Sequence, residues 1–175
     1  MKILFVHAAS AVEEISHRQI PLGIAYLASY VRDKHEVRIF DQPVEIVSLD
    51  EIVSDFLPDV VAISFTSQSA YNAYEMAKKY SDTHTLIAGG IHASLLPDET
   101  LINGFDIVVF GEGEEVFSHI LDALDTDKML SKIKGIFYKD HNGLIQKNPP
   151  ANLISDISSI AFPSRDLFRK DVYEN

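Results

Sequence analysis

The run Val60-Val61-Ala62-Ile63-Ser64-Phe65 carries no charge, is rich in β-branched residues and shows no apolar/polar alternation. A strand of that kind is covered on both faces, the environment of a parallel sheet between layers of helices. Four further short, mostly apolar runs accompany it, at Lys2–His7, Glu36–Phe40, Thr83–Ala88 and Ile107–Phe110. Helical patterns fill the gaps. Leu22–Arg32 is apolar almost all round, as a helix packed on a sheet can be. Ser48 and Glu51 have capping-box spacing ahead of a Leu49, Ile52, Val53, Phe56 stripe. Ala70, Ala73, Tyr74 and Ala77 mark a third helix, Pro97 to Leu101 a short one, and Glu114–Leu124 an amphipathic one. Strands alternating with helices predict an α/β fold. Five strands predict the flavodoxin-like, doubly wound parallel sheet in the order 2-1-3-4-5.

This Rossmann-like unit spans residues 1–130. An appendage at 131–150 reads as a β-hairpin: Lys134–Lys139, a turn at Asp140-His141-Asn142-Gly143, then Leu144–Lys147, closed by Asn148-Pro149-Pro150. Residues 151–175 have no long period of either kind and read as a linker or docking arm. The formal charge of −11 argues against nucleic acid and anionic membrane surfaces as partners. The absence of cysteine rules out disulfides, thiolate catalysis and Cys-ligated zinc or iron–sulfur clusters within these 175 residues. Ile20–Val31 is too short to span a bilayer, and Met1–Val6 reads as a first strand and not as a signal peptide, so the expected location is cytoplasmic.

In a fold of this kind the ligand lies beyond the carboxyl ends of the strands. The loops there gather small and hydroxyl residues: Ser64, Thr66, Ser67, Ser69, Gly89, Gly90, Ala93, Ser94, Gly111 and Gly113. Any one of them can be a cap or turn residue, but their appearance at strands 3, 4 and 5 together favours a bound organic cofactor. A nicotinamide dinucleotide would require a glycine fingerprint in the first turn, where the chain reads Ala8-Ala9-Ser10-Ala11-Val12. There is no Walker loop. Gly111-Glu112-Gly113-Glu114-Glu115 follows the wrong strand for a dinucleotide and would set three carboxylates beside a phosphate. A receiver domain would need acidic residues where His7 and Phe65 stand. Flavin mononucleotide stays open as an alternative, as does a regulatory or interaction module that has lost its cofactor.

Taken in order, the segments resemble the N-terminal cobalamin-binding domain of B12-dependent radical S-adenosylmethionine enzymes, a group that includes methyltransferases and the anaerobic cyclase of bacteriochlorophyll synthesis. The resemblance rests on Ile20-Pro21-Leu22-Gly23-Ile24-Ala25-Tyr26-Leu27-Ala28, on Val37, Ile39 and Asp41, and on Pro58-Asp59 leading into the third strand. It continues through Gly89-Gly90-Ile91-His92-Ala93-Ser94, Asp106–Glu114 and Phe162-Pro163-Ser164-Arg165-Asp166-Leu167. The resemblance implies a cobalamin whose detached dimethylbenzimidazole tail threads between strands near the switch point. Gly89 and Gly90 would then be bare to admit the tail, with Ser64 and Thr66 hydrogen-bonding it. Ser10, Ser67, Ile91, His92, Gly111, Glu112 and Gly113 complete the implied cofactor contacts. A bulky residue at Gly90 would weaken cobalamin binding and leave the fold intact.

The axial-ligand motif Asp-x-His-x-x-Gly is absent, since the chain reads His7-Ala8-Ala9-Ser10-Ala11. The resemblance therefore implies a noncoordinating residue from 8–20 beneath the corrin, with His7 and His17 as the alternative ligands. No metal-ligating or catalytic residue is expected in this chain. The 4Fe–4S cluster and S-adenosylmethionine belong to a radical S-adenosylmethionine catalytic domain in cis, which these residues do not contain. The implied role is a cobalamin-holding module, most simply of a methyltransferase.

Overall fold

In a computed structural model the chain forms one seven-stranded sheet with helices on both faces. The structure describes residues 1–10, 19–126, 128–156, 158 and 160–173. His17 and most of the 8–20 segment expected beneath a corrin lie outside the described residues.

The strands are β1 (Lys2–His7), β2 (Glu36–Asp41), β3 (Val60–Ser64), β4 (Thr85–Gly89), β5 (Ile107–Val109), β6 (Ile136–Lys139) and β7 (Ile145–Lys147). Their order is β2-β1-β3-β4-β5-β6-β7. The first five are parallel and follow the expected order. The expected count of five is corrected to seven, because the hairpin joins the sheet. β6 lies antiparallel on β5, with Ile107 opposite Tyr138 and Val109 opposite Ile136. The reason is physical: β5 would otherwise be a hydrophobic edge, and pairing it with β6 closes its row of free N–H and C=O groups. The hairpin turn uses Gly143 at φ 75°, and Asp140 Oδ1 accepts from the N–H groups of Asn142 and Leu144.

Helices α1 (Leu22–Val31) and α6 (Glu114–Thr126) cover one face. The other face carries α2 (Leu49–Phe56), α3 (Ala70–Tyr80), α4 (Ile91–Leu95) and α5 (Pro97–Ile102). The capping box at α2 is formed in full: the Ser48 side chain accepts from the Glu51 N–H and the Glu51 carboxylate accepts from the Ser48 N–H. None of these helices is long and apolar enough to cross a membrane.

Alternation divides the core cleanly. β1 sends Leu4 and Val6 to the α2/α3 side and Ile3 and Phe5 to the α1/α6 side; β3 does the same with Val61 and Ile63 against Val60 and Ala62. Because both faces are buried, no charge appears in β3, β4 or β5.

The final segment does not hang free. The Ser164 N–H donates to the Ala25 carbonyl at 3.0 Å, and Arg32 donates both guanidinium arms to Asp166 at 2.8 Å. That ion pair is half-exposed and contributes little by itself. Phe168 holds the segment more firmly: it is buried in the α1/α6 core cluster, and a fully buried side chain of that size gives about 1.5–3 kcal/mol. A last turn, α7 (Lys170–Tyr173), follows.

Candidate functional site

Along the α1/α6 face, β4 and β5 lose bulk toward their carboxyl ends and β3 carries only small residues. Ile87 is followed two residues on by Gly89 and Val109 by Gly111, while β3 places Ala62 and Ser64 there. The register sets Ser64 between His7 and Gly89. The shrinking side chains leave a cleft of about 350 Å³ between sheet and helices. Phe5, Ala62, Ile87 and Val109 line it from the sheet, Gly23, Ile24 and Leu27 from α1, and Phe117 from α6. Ser64, Gly89, Gly90, Gly111, Glu112, Gly113 and Glu114 line it at the strand ends. The Phe5 and Phe117 rings stand 5.1 Å apart at 40°.

The cleft is too small for a corrin macrocycle. Its volume lies at the low end of the range for small-ligand pockets, about 300–1,000 Å³, and suits a planar aromatic group. No basic side chain is among the described lining residues, and Glu112 and Glu114 stand at the strand ends. A terminal phosphate dianion would be repelled there, which disfavours flavin mononucleotide.

The two adjacent glycines have different jobs. A Cβ at Gly89 would meet nothing within 4 Å, and the same holds for Gly23 and Gly111. All three line the cleft; Gly23 and Gly89 do so with ordinary backbone angles, whereas Gly111 also has φ 79°, which favours glycine on its own. At Gly90, by contrast, φ is 91°, and a Cβ would stand 2.6 Å from the Phe65 carbonyl oxygen and 3.0 Å from Ser64 Oγ. Gly90 is required by the turn from β4 into α4. The expectation that a bulky residue at Gly90 leaves the fold intact is therefore corrected, and the position that isolates the cleft is Gly89.

Of the residues singled out from the sequence, Ser64, Gly89, Gly90, Gly111, Glu112 and Gly113 are brought together around the cleft. Thr66, Ser67, Ile91, His92 and Ser10 are not among its lining residues. Thr66 forms a tight turn in which its N–H donates to Ser69 Oγ at 3.1 Å. His92 is buried, its Nε2 2.9 Å from the Tyr74 hydroxyl and its Nδ1 3.0 Å from Ser67 Oγ. Its ring packs on Phe65 in the opposite core layer, and burial there raises the Tyr74 hydroxyl above its ordinary pKa. His92 thus has both nitrogens engaged away from the cleft and serves as a structural pin between α3 and α4. Ile91 is exposed, and Ser10 is half-buried beyond β1. Glu112 has a second engagement, accepting the Ile154 N–H at 2.8 Å and so tying the chain after the hairpin to the rim of the cleft.

The residues missed at the sequence level are the apolar ones, Phe5, Ile24, Leu27 and Phe117, which read simply as core. A signal for this wall was Gly23, the second residue of α1, where a residue without a side chain leaves room for close approach to the helix start.

One row further along the sheet, His7 Nδ1 lies 2.7 Å from the buried Asp41 carboxylate, which also accepts from the Tyr173 hydroxyl of α7. This network joins the end of β1, the end of β2 and the C-terminal arm. Asp41→Ala would remove the acceptor that His7 and Tyr173 share and is expected to cost about 1–2 kcal/mol. Asp41→Asn keeps one acceptor oxygen and is expected to cost less. Urea denaturation of the two variants, with amide exchange read at α7, checks both.

A family model described as the B12 binding domain matches residues 10–121. An uncharacterized methyltransferase of Pyrococcus horikoshii is 37% identical over 99% of this chain, which covers 40% of that protein. An anaerobic magnesium-protoporphyrin IX monomethyl ester cyclase of Rubrivivax gelatinosus is 26% identical over 91% of the chain, which covers 32% of it. The chain therefore spans well under half the length of these curated relatives. In fold it is similar to the cobalamin-dependent S-adenosylmethionine radical enzyme OxsB with aqua-cobalamin bound, at a TM-score of 0.77 and 18% identity, over 95% of this chain and 24% of that one.

Proposed function

Because the chain belongs to the B12-binding domain family, we propose that its cleft receives the base of a displaced cobalamin tail while the corrin lies across the carboxyl ends of β1, β3 and β4. The observation that carries this reading is the pair of glycines Gly23 and Gly89, which have no backbone need for glycine and whose missing side chains leave open space beside a cleft with an apolar interior. A Cβ at either of them would take up part of that space.

Each group in the cleft then has a role. Phe5, Leu27 and Phe117 enclose the base and exclude water from it. Ser64 Oγ, at the outer end of the cleft, is placed to hydrogen-bond the part of the tail that leaves it. Gly89 and Gly111 let the tail lie against backbone. Holding the tail in the cleft fixes the corrin's tilt over the sheet, so the protein orients the cofactor's outer face toward whatever stands opposite. When bound, cobalamin supplies a cobalt–carbon bond able to carry a methyl group.

The catalytic half of such an enzyme lies in other residues. These 175 residues hold no cysteine and no cluster of three metal-ligating side chains among those described. The greater length of the relatives and the methyltransferase and cyclase names they carry support a radical S-adenosylmethionine domain in the same polypeptide. On this reading residues 1–130 hold the cofactor, 131–150 protect the sheet edge, and 151–175 lead toward that domain.

Mixing the protein with hydroxocobalamin in dim light, desalting it and recording the visible spectrum tests the reading. A near-stoichiometric corrin is expected to remain, with the bands of a form whose benzimidazole has left cobalt. Loss of all corrin on desalting, from this chain and from a longer one carrying the catalytic domain, would overturn it.

A further inference from the structure

The depth of the cleft is lined by Phe5, Leu27, Ala62, Ile87, Val109 and Phe117, none of which has a polar side-chain atom. The strand backbone beneath is engaged too, since Ala62 and Ile87 at the centre of the floor are paired within the parallel sheet on both sides. Ser64 is the one hydroxyl among the described lining residues, and it stands at the strand end. An aromatic base entering this cleft therefore finds polar partners only near its attachment point. Its far edge meets hydrocarbon alone.

From this we infer that the cleft selects among cobamides by their lower base, accepting dimethylbenzimidazole and disfavouring adenine. The inference rests on the proposal that the tail occupies the cleft. The two bases have similar outlines but opposite far edges. Dimethylbenzimidazole presents two methyl groups there, which gain from burial against Leu27, Val109 and the Phe5–Phe117 ring pair. Adenine presents an exocyclic amine and a ring nitrogen, each of which would give up water for no partner. Methyl-sized and hydroxyl-sized differences in apolar pockets are worth about 10–200-fold in discrimination, so a preference of about 30-fold or more is expected.

Three probes separate the possibilities: hydroxocobalamin, its counterpart with adenine as the lower base, and cobinamide, which lacks the nucleotide tail. Their dissociation constants are read by quenching of intrinsic tyrosine fluorescence or by spectral titration. The expected ranking is hydroxocobalamin tightest, with the adenine form about 30-fold weaker and close to cobinamide. Leu27→Gln, a change of similar volume on the half-buried side of α1, offers the adenine edge a partner and is expected to narrow the ratio several-fold. Equal affinity for the two complete cobamides, both above cobinamide, overturns the selectivity and leaves the tail in the cleft. Equal affinity for all three overturns the tail placement as well. No binding of any of them, by this chain and by a longer one carrying the catalytic domain, overturns the proposed function itself.

Discussion

A Gly90→Ala chain is expected to unfold about 10 °C below the parent. The residue has φ 91° and ψ 177°, a region of backbone space that is essentially reserved for glycine and costs other residues about 1–3 kcal/mol. The added methyl would also stand 2.6 Å from the Phe65 carbonyl oxygen and 2.9 Å from the Phe65 nitrogen. Those are backbone atoms, fixed by the bond from the Phe65 N–H to the Gly89 carbonyl, so they cannot rotate away as a side chain could. Overpacking of this kind adds about 1–3 kcal/mol. At about 2–4 °C per kcal/mol for a chain of this size, the sum corresponds to a thermal shift of roughly 4–24 °C. Circular dichroism melts of the two proteins measure it directly. A midpoint within 2 °C of the parent would mean that the β4–α4 turn relaxes in a way this backbone does not suggest.

The parts of this molecule that were legible in the sequence are those governed by period and by local chemistry. β3 announced its double coverage through an unbroken apolar run, and α2 announced its start through Ser48 and Glu51. The strand order of the first five strands followed from the alternation of elements. What the sequence hid depends on distant partners. The hairpin was visible, but its place in the sheet was not, because only the β5 edge gives it somewhere to pair. The arm at 164–173 read as a linker since no periodicity shows that Arg32 will meet Asp166 or that Phe168 enters the α1/α6 core cluster.

The candidate site was half legible for the same reason. Small residues at the ends of three strands marked the place, and Ser64, Gly89 and Gly111 do line the cleft. His92 stands in the Gly89–Ser94 motif, and the partners that hold its ring, Tyr74 and Ser67, lie 18 and 25 residues away in the chain, beyond the reach of local sequence pattern. Gly89 and Gly90 look identical in sequence. They differ in backbone and in direction: Gly89 has an ordinary φ and opens toward the α1/α6 face, whereas Gly90 has φ 91° and abuts Phe65.

That difference makes Gly89→Leu the sharpest test of the cleft. The residue ends β4 opposite Ser64 with an ordinary φ, and a Cβ there meets no atom within 4 Å. A leucine can therefore be accommodated by the strand, and the melting temperature is expected to stay within a few degrees of the parent. Its side chain, however, projects into the space the base would use. Excluding an aromatic base gives up roughly 100 Å² or more of apolar burial, about 2.5 kcal/mol at 25 cal/mol per Å². At about 1.4 kcal/mol per tenfold, hydroxocobalamin affinity should fall about 100-fold. Cobinamide has no nucleotide to exclude, so its affinity should be nearly unchanged in the same variant. A folded Gly89→Leu protein that binds hydroxocobalamin as tightly as the parent would place the tail elsewhere. A parallel fall for both ligands would instead put the leucine under the corrin, and so locate the macrocycle directly over the end of β4.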